Sequence, residues 1–219
     1  MDFRSLIPIF LLVANVSVQA KVKQSTLLKD VEAHYRGAQT IKMDVIKVIK
    51  LKLMEREKTS DGIIQIKKGG KLRWETQKPE HSLVLADGKV IWLVDYPAEA
   101  EEKIHVIKAT NPVKSQPHAL VAFLLGQGRI SDDFAVISEE PSRDGAFQLE
   151  LKPRENIDQV QWLTLLIDKE SRSIQKLAFE DAIGNVTELY FKNIEFDKTL
   201  AKDTFRFKLP KGAELTVIN

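Results

Sequence analysis

The chain has 219 residues, of which 43% are hydrophobic and 29% charged, and its formal net charge is +2. This length allows one large β domain or two small ones. The charge gives no basic field of the kind that nucleic-acid binders need. Cysteine is absent, which excludes disulfides, thiolate metal sites and cysteine nucleophiles.

The first twenty residues have the pattern of a secretory signal peptide. Arg4 precedes an apolar run over residues 6–16, and Val18 and Ala20 place small residues three and one positions before Lys21. We therefore expect cleavage after Ala20, which leaves one domain over residues 21–219. The apolar run is too short for a membrane span; the alternatives are an uncleaved anchor or a buried helix. Because a bacterial lipoprotein needs a cysteine at the cleavage point, we expect a free, soluble exported protein.

Residues 22–38 predict an amphipathic helix that needs an apolar surface to lie on. Its apolar positions follow helical spacing, charged residues including Glu32 lie opposite, Ser25 or Thr26 caps its start and Gly37 closes it. The apolar positions are Leu27, Leu28, Val31 and Tyr35.

Residues 41–53 predict a long strand, with a bulge or strong bend where Lys47 interrupts the apolar face. Residues 55–61 are expected to form a polar loop.

Residues 62–96 predict antiparallel hairpins with one apolar face. Apolar residues alternate with polar ones on both sides of Gly69-Gly70 and of Asp87-Gly88. Asp-Gly between two apolar runs is typical of a type I′ hairpin turn.

Residues 118–125 predict a helix that is apolar almost all the way round and therefore must be covered or must cover something. Alternating strands follow from residue 134 to 196, and a short one is predicted over 205–209. About eleven short strands with regular turns indicate a barrel or a sandwich. The apolar helices favour an incomplete antiparallel β-barrel, a mainly β fold with covering helices over an apolar cavity.

No catalytic or metal-binding motif is present in the sequence. The histidines, residues 34, 81, 105 and 118, lack metal-ligand spacing, and Glu139 and Glu140 point to opposite faces of a strand. We therefore expect neither an enzyme nor a metal or cofactor.

The apolar residues indicate more about the function than the polar ones do. Taken singly, Trp74, Trp92 and Phe123 to Leu125 are interpreted as core. Taken together with the apolar helix, they indicate a cavity for lipid or hydrophobic segments.

Four stretches in order resemble the LolA family of periplasmic outer-membrane lipoprotein carriers. The first is LRWETQKPEHSLVLADGKVIWLVD, residues 72–95. It is followed by HALVAFLLGQGRISDDFAVISEE, residues 118–140, by LELKPRE, residues 149–155, and by residues 174–215, which include Phe205, Phe207, Pro210 and Gly212.

The resemblance implies an incomplete barrel whose apolar cavity holds the acyl chains of a lipoprotein beneath a helical lid. The expected cavity residues are Leu72, Trp74, Leu85 and Trp92, and the expected lid residues are Leu28, Val31, Phe123, Leu124 and Leu125. In the family an arginine latches the lid; the matching position here is Lys68, which lacks the planar fork of arginine.

The resemblance also implies partners and a location. A monomer in the periplasm would receive lipoproteins from an inner-membrane ABC-type releasing complex and pass them to an outer-membrane acceptor. The acceptor LolB carries a lipidated cysteine, and this chain has no cysteine, so the sequence favours a carrier over an acceptor. RseB-type regulators add a second domain that this length cannot hold. A carrier or sensor of another lipid or glycolipid remains the alternative.

Overall fold

The computed structural model describes residues 25–99, 102–109, 123, 128–155 and 160–218. Two helices with described bounds are α1 (Thr26–Gly37) and α2 (Ile130–Asp133). The strands of these residues are β1 (Thr40–Leu51), β2 (Arg56–Lys67), β3 (Lys71–Lys78), β4 (His81–Asp87), β5 (Ile91–Tyr96), β6 (His105–Ala109), β7 (Phe134–Pro141), β8 (Ala146–Pro153), β9 (Trp162–Asp168), β10 (Ser173–Glu180), β11 (Val186–Phe196) and β12 (Glu214–Ile218).

The twelve strands form one unclosed sheet. Their order is β12-β6-β5-β4-β3-β2-β1-β11-β10-β9-β8-β7. Neighbours are antiparallel, except that β12 joins β6 in parallel. Two meanders, β1 to β6 and β7 to β11, therefore meet where β1 pairs with β11. Among the described residues the end strands β12 and β7 do not pair, which confirms the predicted mainly β, unclosed architecture.

Helix α1 packs on one face of the sheet, which we call the inner face. Ser25 caps the helix as predicted, because its hydroxyl accepts a hydrogen bond of 3.0 Å from the Leu28 amide. The apolar side of α1 joins a buried cluster with inward residues of both meanders. The members from the helix are Leu27, Leu28, Val31 and Tyr35. This face therefore holds the main core.

A second, smaller cluster lies on the opposite, outer face. It contains Leu83, Leu85, Val94 and Val106, with Trp92 and Phe207 packed against it. The Trp92 and Phe207 rings stack with centroids 4.4 Å apart. The segment predicted as a strand over 205–209 is not one, because it crosses the outer face and covers this cluster instead of pairing with a neighbour.

Strand ends and turns differ from the sequence predictions in three places. Strand β2 begins at Arg56, inside the predicted polar loop, and pairs with β1 along its whole length. The irregularity of β1 lies at Lys42–Asp44 in its pairing with β11, not at Lys47. The hairpin at Asp87-Gly88 is confirmed, but only Gly88 has a positive φ, of 97°, so the turn is not type I′.

No helix in the described part of the chain has the length and hydropathy needed to cross a membrane.

Candidate functional site: the inner face of the sheet

The pairing register decides which face each predicted cavity residue occupies. Leu72 is buried in the inner cluster, and Trp74 packs against the same cluster. Arg73, which lies between them and points the other way, pairs with Leu85, and Leu85 in turn pairs with Trp92. Leu85 and Trp92 therefore lie on the outer face. This corrects the expectation that the four residues line one cavity: two of them belong to the outer cluster under Phe207.

A row of apolar side chains crosses the inner face from β1 to β6. Consecutive members are directly paired between neighbouring strands. Five strand spacings of ~4.8 Å give the row a length of about 24 Å. We call it the inner row: Met43, Ile64, Trp74, Val84, Leu93 and Ile107.

Exposure along the inner row is greatest at Leu93. Met43 and Ile64 are 1% and 0% exposed, Trp74 and Val84 are partly buried, and Leu93 is 38% exposed. The row therefore starts within the main core and becomes accessible apolar surface at Leu93, while Ile107 at its end is partly buried. Leu93 and Ile107 were not among the predicted site residues, although they alternate correctly with their neighbours in the sequence.

A pocket of about 870 Å³, lined mostly by polar and charged residues, adjoins the inner row. Two residues further along each strand, Thr76, Ser82, Asp95 and His105 pair across β3 to β6, and all four line this pocket. Lys47 also lines it, with its ammonium group 5.8 Å from the centroid of the Trp74 ring. Lys47 interrupts the apolar pattern of β1 because it stands where the inner face changes from apolar to polar.

The predicted lid residues that the structure describes pack against the inner face of the sheet. Leu28, Val31 and Phe123 are almost fully buried in the same cluster as Leu72. The Phe123 ring lies 5.3 Å from that of Tyr35 of α1. Leu124 and Leu125 lie outside the described residues, as does most of the helix predicted over 118–125. That these residues open as a lid stays a prediction.

Two buried polar side chains fix α1 over the sheet. The Tyr35 hydroxyl accepts a hydrogen bond of 3.1 Å from the Ile174 amide in β10, and burial raises its pKa to about 12. The Glu32 carboxylate, only 2% exposed, accepts hydrogen bonds from the Ser131 amide (2.7 Å) and hydroxyl (2.9 Å). Sequence periodicity placed Glu32 on the polar side of α1; it is buried because α2 supplies both donors.

The latch candidate Lys68 lies in the exposed turn between β2 and β3. Its backbone N–H donates to the Gln39 carbonyl at 2.9 Å, which ties this turn to the start of β1. A bond from the Lys68 side chain to the lid stays a prediction, since the expected lid segment lies mostly outside the described residues.

The described residues contain no group of three or more histidine, aspartate or glutamate side chains arranged to hold a metal ion. His34 Nε2 is the buried side-chain polar atom left without a hydrogen-bond partner in this part of the chain. The His34 ring contacts Phe196 with centroids 4.2 Å apart, so it packs as an aromatic residue at the end of α1.

Comparison with known proteins points to one family. The family profile described as "Outer membrane lipoprotein carrier protein LolA" matches residues 36–208. An outer-membrane lipoprotein carrier protein from Cupriavidus taiwanensis is 31% identical over 157 residues, which cover 72% of this chain and 70% of that protein. One from Methylococcus capsulatus is 24% identical over 213 residues and covers 97% of each chain.

A solved structure shares the fold. An uncharacterized conserved protein from Thermus thermophilus is 16% identical and matches with a TM-score of 0.55. The match covers 88% of this chain and 97% of that one.

Proposed function

The chain belongs to the LolA family of outer membrane lipoprotein carrier proteins, and on this premise we propose that its inner row binds lipoprotein acyl chains. The cargo would be outer-membrane lipoproteins released from the inner membrane, and the destination an outer-membrane acceptor. The observation that carries the proposal is the inner row itself, an apolar strip that becomes accessible toward Leu93 and borders a pocket lined mostly by polar and charged residues. An acylated cysteine combines these two chemistries, and its binding requires no catalysis.

The physical need for a carrier comes from the apolar surface of the cargo. Exposing such surface to water costs about 25 cal/mol per Å². A carrier must also release its cargo. A cover that occupies the site lowers the net affinity for acyl chains, because the chains have to displace it. Leu28, Val31 and Phe123 are buried against the inner face and can provide this competition. Lys68 would add a bond that holds the closed form.

The proposed route requires export and two partners. We infer that the mature protein begins at Lys21 and acts as a monomer in the periplasm. It would take lipoproteins from an inner-membrane ABC-type releasing complex and deliver them to the acceptor. Sequencing the N-terminus of the protein recovered from a periplasmic extract should give Lys21. A membrane-bound form that retains Met1 would contradict this inference.

The alternative is a carrier or sensor of another lipid or glycolipid. The pocket beside the inner row supports this alternative, since its 870 Å³ is lined by many polar side chains that can hold a sugar headgroup. Mass spectrometry of material purified with the protein from its native periplasm separates the two candidates. Triacylated lipoproteins in a one-to-one complex support the lipoprotein carrier. Free lipid alone, with normal lipoprotein sorting after depletion of the protein, supports the alternative.

Leu93→Glu should weaken binding of a fluorescent triacylated lipopeptide at least tenfold, because a carboxylate would lie against the acyl chain (~1.4 kcal/mol per tenfold). The folded protein should lose less than ~1 kcal/mol, since Leu93 is already 38% exposed and the new charge stays hydrated. Fluorescence titration and urea unfolding measure the two effects.

The matched control is Leu53→Glu. Leu53 is 83% exposed in the turn after β1 and is not part of the inner row, so this variant should bind the lipopeptide as the parent protein does. Equal affinities for the two variants would contradict binding at the inner row.

A further inference from the structure

A second pocket, of about 680 Å³, lies on the outer face of the sheet. The segment that follows β11 forms one wall, and the strand ends near the β2–β3 and β4–β5 turns form the other. The stacked rings of Trp92 and Phe207 both line it, which places it on the face opposite the inner row. We call it the outer basic pocket because five cationic side chains line it against one carboxylate: Lys67, Lys71, Lys198, Lys202 and Arg206, with Asp87.

The charge of this pocket is unbalanced in a chain that is nearly balanced overall, with 33 basic and 31 acidic residues. Among the described residues, none of the five cations takes part in an ion pair. The carboxylate of Asp87 already accepts hydrogen bonds from the amides of Lys89 and Val90, at 2.8 and 2.9 Å. Like charges that share one pocket repel each other, so this arrangement does not stabilise the fold by itself.

The walls of the outer basic pocket are held in place by hydrogen bonds. Asp197 accepts from the Gln39 amide at 2.6 Å, and its own amide donates to the Thr40 carbonyl at 2.8 Å. The Thr40 hydroxyl donates to the Lys198 carbonyl at 2.6 Å. These bonds tie the start of β1 to the segment that carries Lys198, Lys202 and Arg206. The cations therefore converge on a formed pocket.

We propose that the outer basic pocket binds a phosphate-bearing anion. A phosphate group offers several oxygen acceptors, which matches lysine ammonium groups and an arginine fork on opposite walls. The volume suits a small anion or a lipid headgroup. The site lies on the opposite face from the inner row, so both can be occupied at once, and the inference does not depend on what the inner row binds.

Two sources of the phosphate group are distinguishable by experiment. Inorganic phosphate is titrated into the protein at constant ionic strength, and amide chemical shifts around Thr40 and Lys198 report binding. Flotation with phosphatidylglycerol vesicles, and with phosphatidylcholine vesicles as reference, reports binding to a lipid headgroup. Vesicle binding that free phosphate displaces identifies a headgroup site, whereas phosphate binding without flotation identifies a site for a soluble anion.

The decisive comparison uses two double variants with the same change in net charge. Lys198→Gln with Lys202→Gln removes two pocket cations and should weaken phosphate or vesicle binding about tenfold. Lys152→Gln with Lys192→Gln removes two exposed lysines that do not line the pocket and should change binding less than about twofold. Equal weakening in both variants, or no binding of either probe by the parent protein, would overturn the proposal.

Discussion

Replacing Glu188 with alanine is expected to lower the free energy of unfolding by about 3 kcal/mol at pH 7. Glu188 is 8% exposed in β11 and binds three side chains. Lys176 and Lys50 place ammonium groups 2.7 and 3.0 Å from its two oxygens, and the Tyr190 hydroxyl donates at 3.0 Å. Without the carboxylate, the partly buried ammonium of Lys176 keeps its charge but loses its counterion. Urea unfolding measures the loss.

The contribution of Glu188 should depend on pH. Burial by itself would raise the pKa of this carboxyl, but hydrogen bonds from Lys176, Lys50 and Tyr190 outweigh burial and lower it from 4.5 to about 2. The folded protein thus binds this proton more weakly than the unfolded chain does. The stabilisation is fully present above pH 4.5 and is lost as the pH falls toward 2. The stability difference between the parent protein and Glu188→Gln should shrink over that interval.

The control for the first prediction is Lys50→Ala. Lys50 is 50% exposed, so its ion pair with Glu188 is screened by water, and its removal should cost less than ~1 kcal/mol. Equal losses for Glu188→Ala and Lys50→Ala would mean that the buried carboxylate has no special role in stability.

Glu32→Ala is expected to lower the free energy of unfolding by about 2 to 3 kcal/mol and to loosen α1. The substitution removes a buried carboxylate and leaves the amide and hydroxyl of Ser131 without their acceptor. Leu28 and Val31 lie on this helix, so its loosening would uncover part of the inner face. Hydrogen exchange of the α1 amides should become faster relative to that of the β1 amides.

Two variants separate the hydrogen bonds of Glu32 from its charge and from the helix itself. Glu32→Gln keeps an acceptor for the Ser131 amide, and its amide group can donate to the Ser131 hydroxyl, so most of the stability should remain. Asp30→Ala changes an exposed carboxylate on the same helix and should alter stability by less than ~0.5 kcal/mol. Unchanged α1 exchange in Glu32→Ala would show that α2 does not hold the helix.

Local patterns in the sequence were sufficient for α1 and for most of the strands in both meanders, but they gave a polar loop where β2 begins and a strand over 205–209 that does not form. Alternation within each run identified the strands of both meanders, and Gly69-Gly70 marks the turn of the β2–β3 hairpin, where both glycines have positive φ. The polar residues before an amphipathic run narrowed the cap of α1 to Ser25 or Thr26, and Ser25 is the cap. These features are local, because backbone sterics and the two-residue period of a strand act within a few residues.

Only the tertiary structure decided which face each strand presents inward. Leu72 and Trp74 share a face because they are two residues apart in one strand. Leu85 and Trp92 were assigned to the same cavity, but the β3–β4 register pairs Trp74 with Val84, and the β4–β5 register pairs Leu85 with Trp92, so both residues face outward.

The reason is that alternation shows which residues of a strand share a face, but not which of the two faces points inward. A shift of one residue in the pairing register moves every side chain of the strand to the opposite face. The burial of Glu32 and the convergence of the pocket cations also depend on contacts between segments that are distant in the sequence. Glu32 is bonded to Ser131, which lies 99 residues away in the sequence. Lys67 and Lys198 come from opposite walls of the outer basic pocket. Most of the secondary structure could therefore be predicted from side-chain chemistry and local spacing, whereas contacts between distant segments are seen only in the folded structure.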